Sequence, residues 1–135
     1  MKRSATLVCL ALGLAGTACS GFDSLDITFK SAPPDNATVT FEQIRIHEGI
    51  AVGITARPMD GDEQMDEDTQ LVLESRNPGV LGVAPGEQDD QDEDPEDRPP
   101  NYNFVLFGAK AGTTSVVVLV DGDIEAEIPA VVEPQ

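Results

Sequence analysis

From Leu25 onward, apolar residues recur at every second position over most of the chain, and a period of two predicts strands. Leu25, Ile27 and Phe29 alternate with polar residues; Pro33-Pro34-Asp35-Asn36 breaks the run, and Val39, Phe41, Ile44 and Ile46 resume it. His47-Glu48-Gly49 turns the chain into Ile50, Val52, Ile54 and Ala56, a strand expected to end at Pro58. Residues 71–83 hold two short aliphatic runs joined at Asn77-Pro78-Gly79, where the fixed φ of proline and the permissive φ of glycine suit a tight reversal. Tyr102, Phe104 and Leu106 form the next alternating run. Residues 108–112 turn, and residues 113–120 become apolar at successive positions, as in a strand covered on both faces. Asp121-Gly122-Asp123 is a hairpin signal, after which Ile124, Ala126 and Ile128 alternate with Glu125 and Glu127. No amphipathic helix survives this reading. About seven short strands separated by turn signals predict an all-β sandwich in which two sheets bury alternate residues against each other.

The strands start only after a different kind of segment. Met1-Lys2-Arg3 is a short basic start, and residues 5–15 are uncharged and mostly Leu, Ala, Val and Gly, which fits the first two regions of a signal peptide and is too short for a permanent span. The stretch Leu14-Ala15-Gly16-Thr17-Ala18-Cys19-Ser20 then resembles the lipobox of bacterial lipoproteins, with small residues before a cysteine. That resemblance implies a diacylglyceryl group on the Cys19 thiol, cleavage before Cys19 and, with Ser20 following it, delivery to the outer membrane. Gly16 stands where the family prefers Leu or another aliphatic residue, and Gly16 with Ala18 also satisfies ordinary signal cleavage, which would release a secreted or periplasmic protein. The expected organisation is a lipoprotein signal peptide at 1–18, a lipidated cysteine and short linker at 19–24, and one sandwich domain at 25–135.

A second resemblance covers the domain itself. The order Ile46-His47-Glu48-Gly49 before a strand, residues 71–78 followed by Val80-Leu81-Gly82-Val83, then Phe107-Gly108-Ala109-Lys110-Ala111-Gly112-Thr113-Thr114 and an Asp-Gly hairpin, looks like a bacterial Ig-like domain of the second group. Members usually carry Trp in the strand before the Asn-Pro turn, where this chain has Leu73, and Leu can fill the same site between sheets. The resemblance implies an Ig-like β-sandwich used as a surface module of adhesins and polysaccharide-associated proteins, and generally no catalysis.

Composition narrows the partners. Twenty-five Asp and Glu against eight Lys and Arg give a formal charge of -17, so nucleic acid and bare anionic surfaces are repelled. Of the two cysteines, Cys9 lies in the segment expected to be removed, which leaves Cys19 with no disulfide partner. The single histidine, His47, sits at an expected surface turn, and there is no Trp and one Tyr to form a sugar-stacking platform, so neither a nucleophile-base pair nor a glycosidase cleft is expected. The expected role is that of a non-catalytic, lipid-anchored envelope module that touches the membrane through its anchor and has an envelope protein or polysaccharide as partner. No cofactor is implied.

Two acidic stretches support an alternative. Residues 60–68 and the loop near 86–100 are crowded with Asp and Glu, and in an Ig-type strand order both emerge at the same end as the Asp121-Gly122-Asp123 hairpin. The second stretch lacks apolar residues to offset the entropy of ordering and is expected to be mobile. Clustered carboxylates suit a hard cation held weakly in loose geometry, with Asp60, Asp62, Asp89, Asp90, Asp92, Asp94, Asp121 and Asp123 as candidate Ca²⁺ ligands in a calcium-dependent adhesion or binding module. Neither stretch has the spacing of an EF-hand, and solvated loops that keep the protein soluble explain the same composition.

Overall fold

In the computed structural model, which describes residues 21–33, 37–88 and 100–135, the alternating runs become strands and no helix forms among the described residues. In chain order they are β1 (Ser24–Phe29), β2 (Thr38–Val39), β3 (Ile44–His47), β4 (Ala51–Asp60), β5 (Glu63–Gln64), β6 (Leu71–Ser75), β7 (Leu81–Pro85), β8 (Asn103–Gly108), β9 (Gly112–Val120) and β10 (Asp123–Glu133). One sheet has the order β1-β4-β8-β7 with β5 hydrogen-bonded to the end of β4; the other has the order β2-β3-β10-β9-β6. All pairs are antiparallel except β3 with β10, which run parallel. Leaving aside the short β2, β3 and β5, seven strands remain, and β1-β4-β8-β7 facing β10-β9-β6 is the strand order of an immunoglobulin-type sandwich.

Alternation decides what lies between the sheets. Leu25, Ile54, Ala56, Leu81 and Leu106 of one sheet meet Ile46, Leu73, Val116, Val118, Val120, Ile128 and Val132 of the other, all buried in one cluster. Each such Leu, Ile or Val side chain removed from water contributes about 1.5–3 kcal/mol. Leu73 fills its inter-sheet place as expected. Val117 is buried too, although it faces outward, flanked in register by Glu74 and Glu127, so the middle of β9 is covered on both faces.

Several local expectations change. The Asn77-Pro78-Gly79 turn forms, with the N–H groups of Val80 and Leu81 donating to the Asn77 carbonyl at 3.0 and 3.1 Å. It does not make a hairpin, because β6 and β7 lie in different sheets and the turn carries the chain across the sandwich. Phe41 is not in a strand. Thr40 Oγ1 accepts from the N–H groups of Glu42 and Gln43 and bends the chain between β2 and β3, leaving the Phe41 ring edge-on to Phe22 at 5.9 Å.

Strand β4 continues past Pro58 to Asp60. Ala56 donates to the Tyr102 carbonyl, just ahead of β8, and two residues later the same side of β4 has passed the start of β8. The N–H that proline lacks falls on that side, where no β8 partner needs it. The stretch 60–64, expected as loop, is a hairpin into β5 with Gly61 at φ +64°. The Asp121-Gly122 hairpin is as expected, with both residues at positive φ (50° and 88°), the type I′ geometry that fits twisted strands. Beyond it, the register of β10 against β9 shifts between Ile124 and Ala126, which ends the simple alternation read from the sequence.

Candidate functional site: the acidic end of the sandwich

Strand direction brings the acidic turns together. Ser24 lies opposite Met59, Pro85 opposite Phe104 and Leu71 opposite Val120. The start of β1, the β4–β5 hairpin, the end of β7, the start of β8, the start of β6 and the β9–β10 hairpin therefore share one end. Asp60, Asp62, Asp121 and Asp123 are at this end, as the Ig-type order requires. The N-terminal approach is there as well: Asp23 donates its N–H to the Met59 carbonyl at 2.8 Å, and a Cβ on Gly21 would lie 3.3 Å from Asp60 Oδ2. Cys19, Asp89, Asp90, Asp92 and Asp94 lie outside the described residues.

The carboxylates that are described do not assemble into a metal site. Among the described residues, no three of the His, Cys, Asp and Glu side chains are grouped to hold a metal ion. Asp60 and Asp62 belong to one sheet's hairpin and Asp121 and Asp123 to the other's. Asp121 is also engaged: its Oδ1 accepts the Gln70 N–H at 2.9 Å while its own N–H donates to the Gln70 carbonyl at 2.9 Å, tying the hairpin to the approach to β6.

Two features at this end were not legible in the sequence. Tyr102 donates its hydroxyl to the Thr69 carbonyl at 2.7 Å, fastening the approach to β6 onto the start of β8. Partial burial pushes its phenol above the ordinary tyrosine value, and the nearby charges of Asp121 and Asp68 push it the same way. Beside it lies a polar clamp. Thr55 Oγ1 donates to Asn103 Oδ1 at 2.7 Å, Asn103 Nδ2 donates to the Glu87 carbonyl at 2.7 Å, and Asn101 Nδ2 donates to the Gly86 carbonyl at 2.8 Å. Thr55 and Asn103 are buried, so these bonds satisfy groups withdrawn from water. The clamp closes the two ends of the second acidic stretch against each other. The only hint in the sequence was Asn-Tyr-Asn at its far edge.

His47 sits at the opposite end. Its Nδ1 lies 3.2 Å from the Pro134 carbonyl and its Nε2 3.5 Å from Glu133, whose carboxylate also takes Arg45 at 2.6 Å. These exposed contacts hold the ring against the last residues of the chain. Glu48 next to it accepts the Ala111 N–H at 2.7 Å, pinning the two turns of that end together.

No protein-family model matches the chain, and no curated protein matches it. Among solved structures, domains 4 and 5 of the S-layer protein SbsC are similar, with 11% sequence identity and a TM-score of 0.46, over 80% of this chain and 54% of that one. The chain thus spans about half the length of that structure. The assignment to a sandwich rests on the strand order and on the buried faces described above.

Proposed function

We propose that this protein is a non-catalytic, lipid-anchored module of the bacterial cell envelope, held in the membrane through Cys19 and presenting an Ig-like sandwich to an envelope protein or polysaccharide. The observation that supports it best is how close the fold lies to the lipobox. Strand β1 begins at Ser24, five positions after Cys19, and the intervening chain is already bonded to β4 at Asp23. An acylated Cys19 would therefore hold the domain directly against the membrane surface.

In that orientation the acidic end faces the membrane and the end carrying His47, Arg45 and Lys110 faces away. Carboxylates near anionic headgroups repel them over about a Debye length, ~8 Å at physiological salt, which tips the domain off the surface. The sandwich then stands out from the bilayer with both outer sheet faces accessible.

The test is fractionation with mass spectrometry. Wild type should remain with membranes and give an N-terminal mass at Cys19 that includes acyl chains, and Cys19→Ala should be soluble, because stable anchoring takes more than one chain. A mature N-terminus at Cys19 carrying no lipid mass would overturn the anchor and favour the secreted or periplasmic form.

A further inference from the structure

By the two-residue period, Ile124 belongs on the inner face with Ala126 and Ile128. The register shift between Ile124 and Ala126 is a bulge, and it turns Ile124 outward, where it is 58% exposed. There it stands opposite Leu119, and Leu119 stands opposite Val72, which is 46% exposed on β6. Bulges re-aim side chains. Here the result is an apolar row across the outer face of three adjacent strands.

The charge around this row is negative. On one side the next outward positions are Glu74, Val117 and Glu127; on the other is the Asp121-Gly122-Asp123 hairpin. Arg76, 3.1 Å from Glu127, offsets one of these charges. A second copy docked across a two-fold axis would bring this rim against itself, since the same patch meets itself in such an interface. Anionic headgroups would be repelled in the same way. An apolar centre within an acidic rim is complemented by a protein surface with an apolar side chain among lysines or arginines.

We propose that the outer face of β6, β9 and β10 docks a basic segment of a partner protein, with an aliphatic or aromatic side chain laid on Val72, Leu119 and Ile124 and flanking Lys or Arg residues against Glu74 and Asp123. The interaction is independent of how the chain is anchored, so it can fail while the anchor holds, and the reverse.

The probe is a fluorescent seven-residue peptide with Leu-Phe-Leu between pairs of lysines. One control peptide has Ser-Ser-Ser at its centre, and another has glutamates in place of the lysines. Anisotropy titrations use the intact protein with the N-terminus the cell leaves on it. The first peptide should bind more tightly than either control. Ile124→Thr or Val72→Thr should weaken it about tenfold, the loss expected when a contact at the centre of an interface is removed. Both positions are exposed, so the thermal midpoint should stay at the wild-type value. No binding by the probe, equal binding by the serine-centred control, or unchanged affinity in both variants would overturn the proposal. So would a dimer in sedimentation that Ile124→Thr dissociates, which would assign the row to a second copy. Binding of the Cys19→Ala protein to phosphatidylethanolamine and phosphatidylglycerol vesicles that Ile124→Thr abolishes would assign it to lipid and overturn it equally.

Discussion

Gly108→Ala should be among the most damaging single-methyl changes in this domain. Gly108 ends β8, and its φ is not in the left-handed region, so the glycine is there for space. A Cβ at this position would lie 2.5 Å from the His47 carbonyl oxygen, 3.1 Å from that carbonyl carbon and 3.1 Å from Val132 Cγ1. Ordinary contact begins near 3.4 Å, so the strands must separate by roughly 0.9 Å at this point. The obstacle is backbone, which cannot swing away as a side-chain tip can. The same site holds two hydrogen bonds, Gly49 N–H to the Gly108 carbonyl at 2.7 Å and Gly108 N–H to the Ile50 carbonyl at 2.9 Å. Overpacking costs about 1–3 kcal/mol and one weakened hydrogen bond about 1 kcal/mol, for a loss of about 2–4 kcal/mol. At about 4–8 °C per kcal/mol for a domain near this size, the midpoint should fall by roughly 8–30 °C. Urea and thermal unfolding of residues 21–135 would measure it, with Gly61→Ala as reference. Gly61 has φ +64° and open space around it, so alanine there should cost only about 1 kcal/mol of backbone strain. Equal losses in the two variants would refute the steric reasoning.

Leu73→Asp should leave the domain unfolded by circular dichroism, since losing a buried leucine costs about 2–5 kcal/mol and an unpaired buried charge costs several more; a stably folded variant would contradict the strand register. Asn103→Ala should cost about 1–3 kcal/mol in urea denaturation, because it strips Thr55 Oγ1 and the Glu87 carbonyl of their partners, whereas Asn101→Ala, on the more exposed side of the clamp, should cost less. The Ser115 hydroxyl, and after it the Arg76 guanidinium, hold the Glu127 carboxyl below the usual glutamate range. The stability this gives is present above the unfolded value of about 4.3 and is lost as pH falls through the lower folded value. The urea midpoints of wild type and Glu127→Gln should therefore converge as pH drops from about 5 to about 3, and a gap that does not change with pH would count against the pairing.

Much of the fold depends on information only a few residues long, and that part was legible. A period of two places Leu71 and Leu73 on one face whatever lies opposite them, and Asp121-Gly122 favours a type I′ turn through its own backbone preferences. With strands and turns in place, the order of an Ig-type sandwich brings Asp60, Asp62, Asp121 and Asp123 to one end. Sequence alone thus determined a two-sheet β protein with an acidic end. It could not decide which sheet a strand joins: Asn77-Pro78-Gly79 reverses the chain equally well within a sheet or between sheets, and burial of Leu73 and Leu81 in opposite layers settled the matter. Nor could it place the bulge, since alternation looks unbroken from Ile124 to Ile128 until β9 fixes which residues pair. Gly108 reads as part of a turn signature, yet its reason is a carbonyl more than sixty residues earlier in the chain. Thr55 and Asn103 pair on the face of their sheet that points away from the core, and what withdraws them from water is the chain at Glu87, whose carbonyl Asn103 holds. Each of these depends on atoms brought close only by folding, and a local pattern carries no record of which distant backbone will arrive beside it.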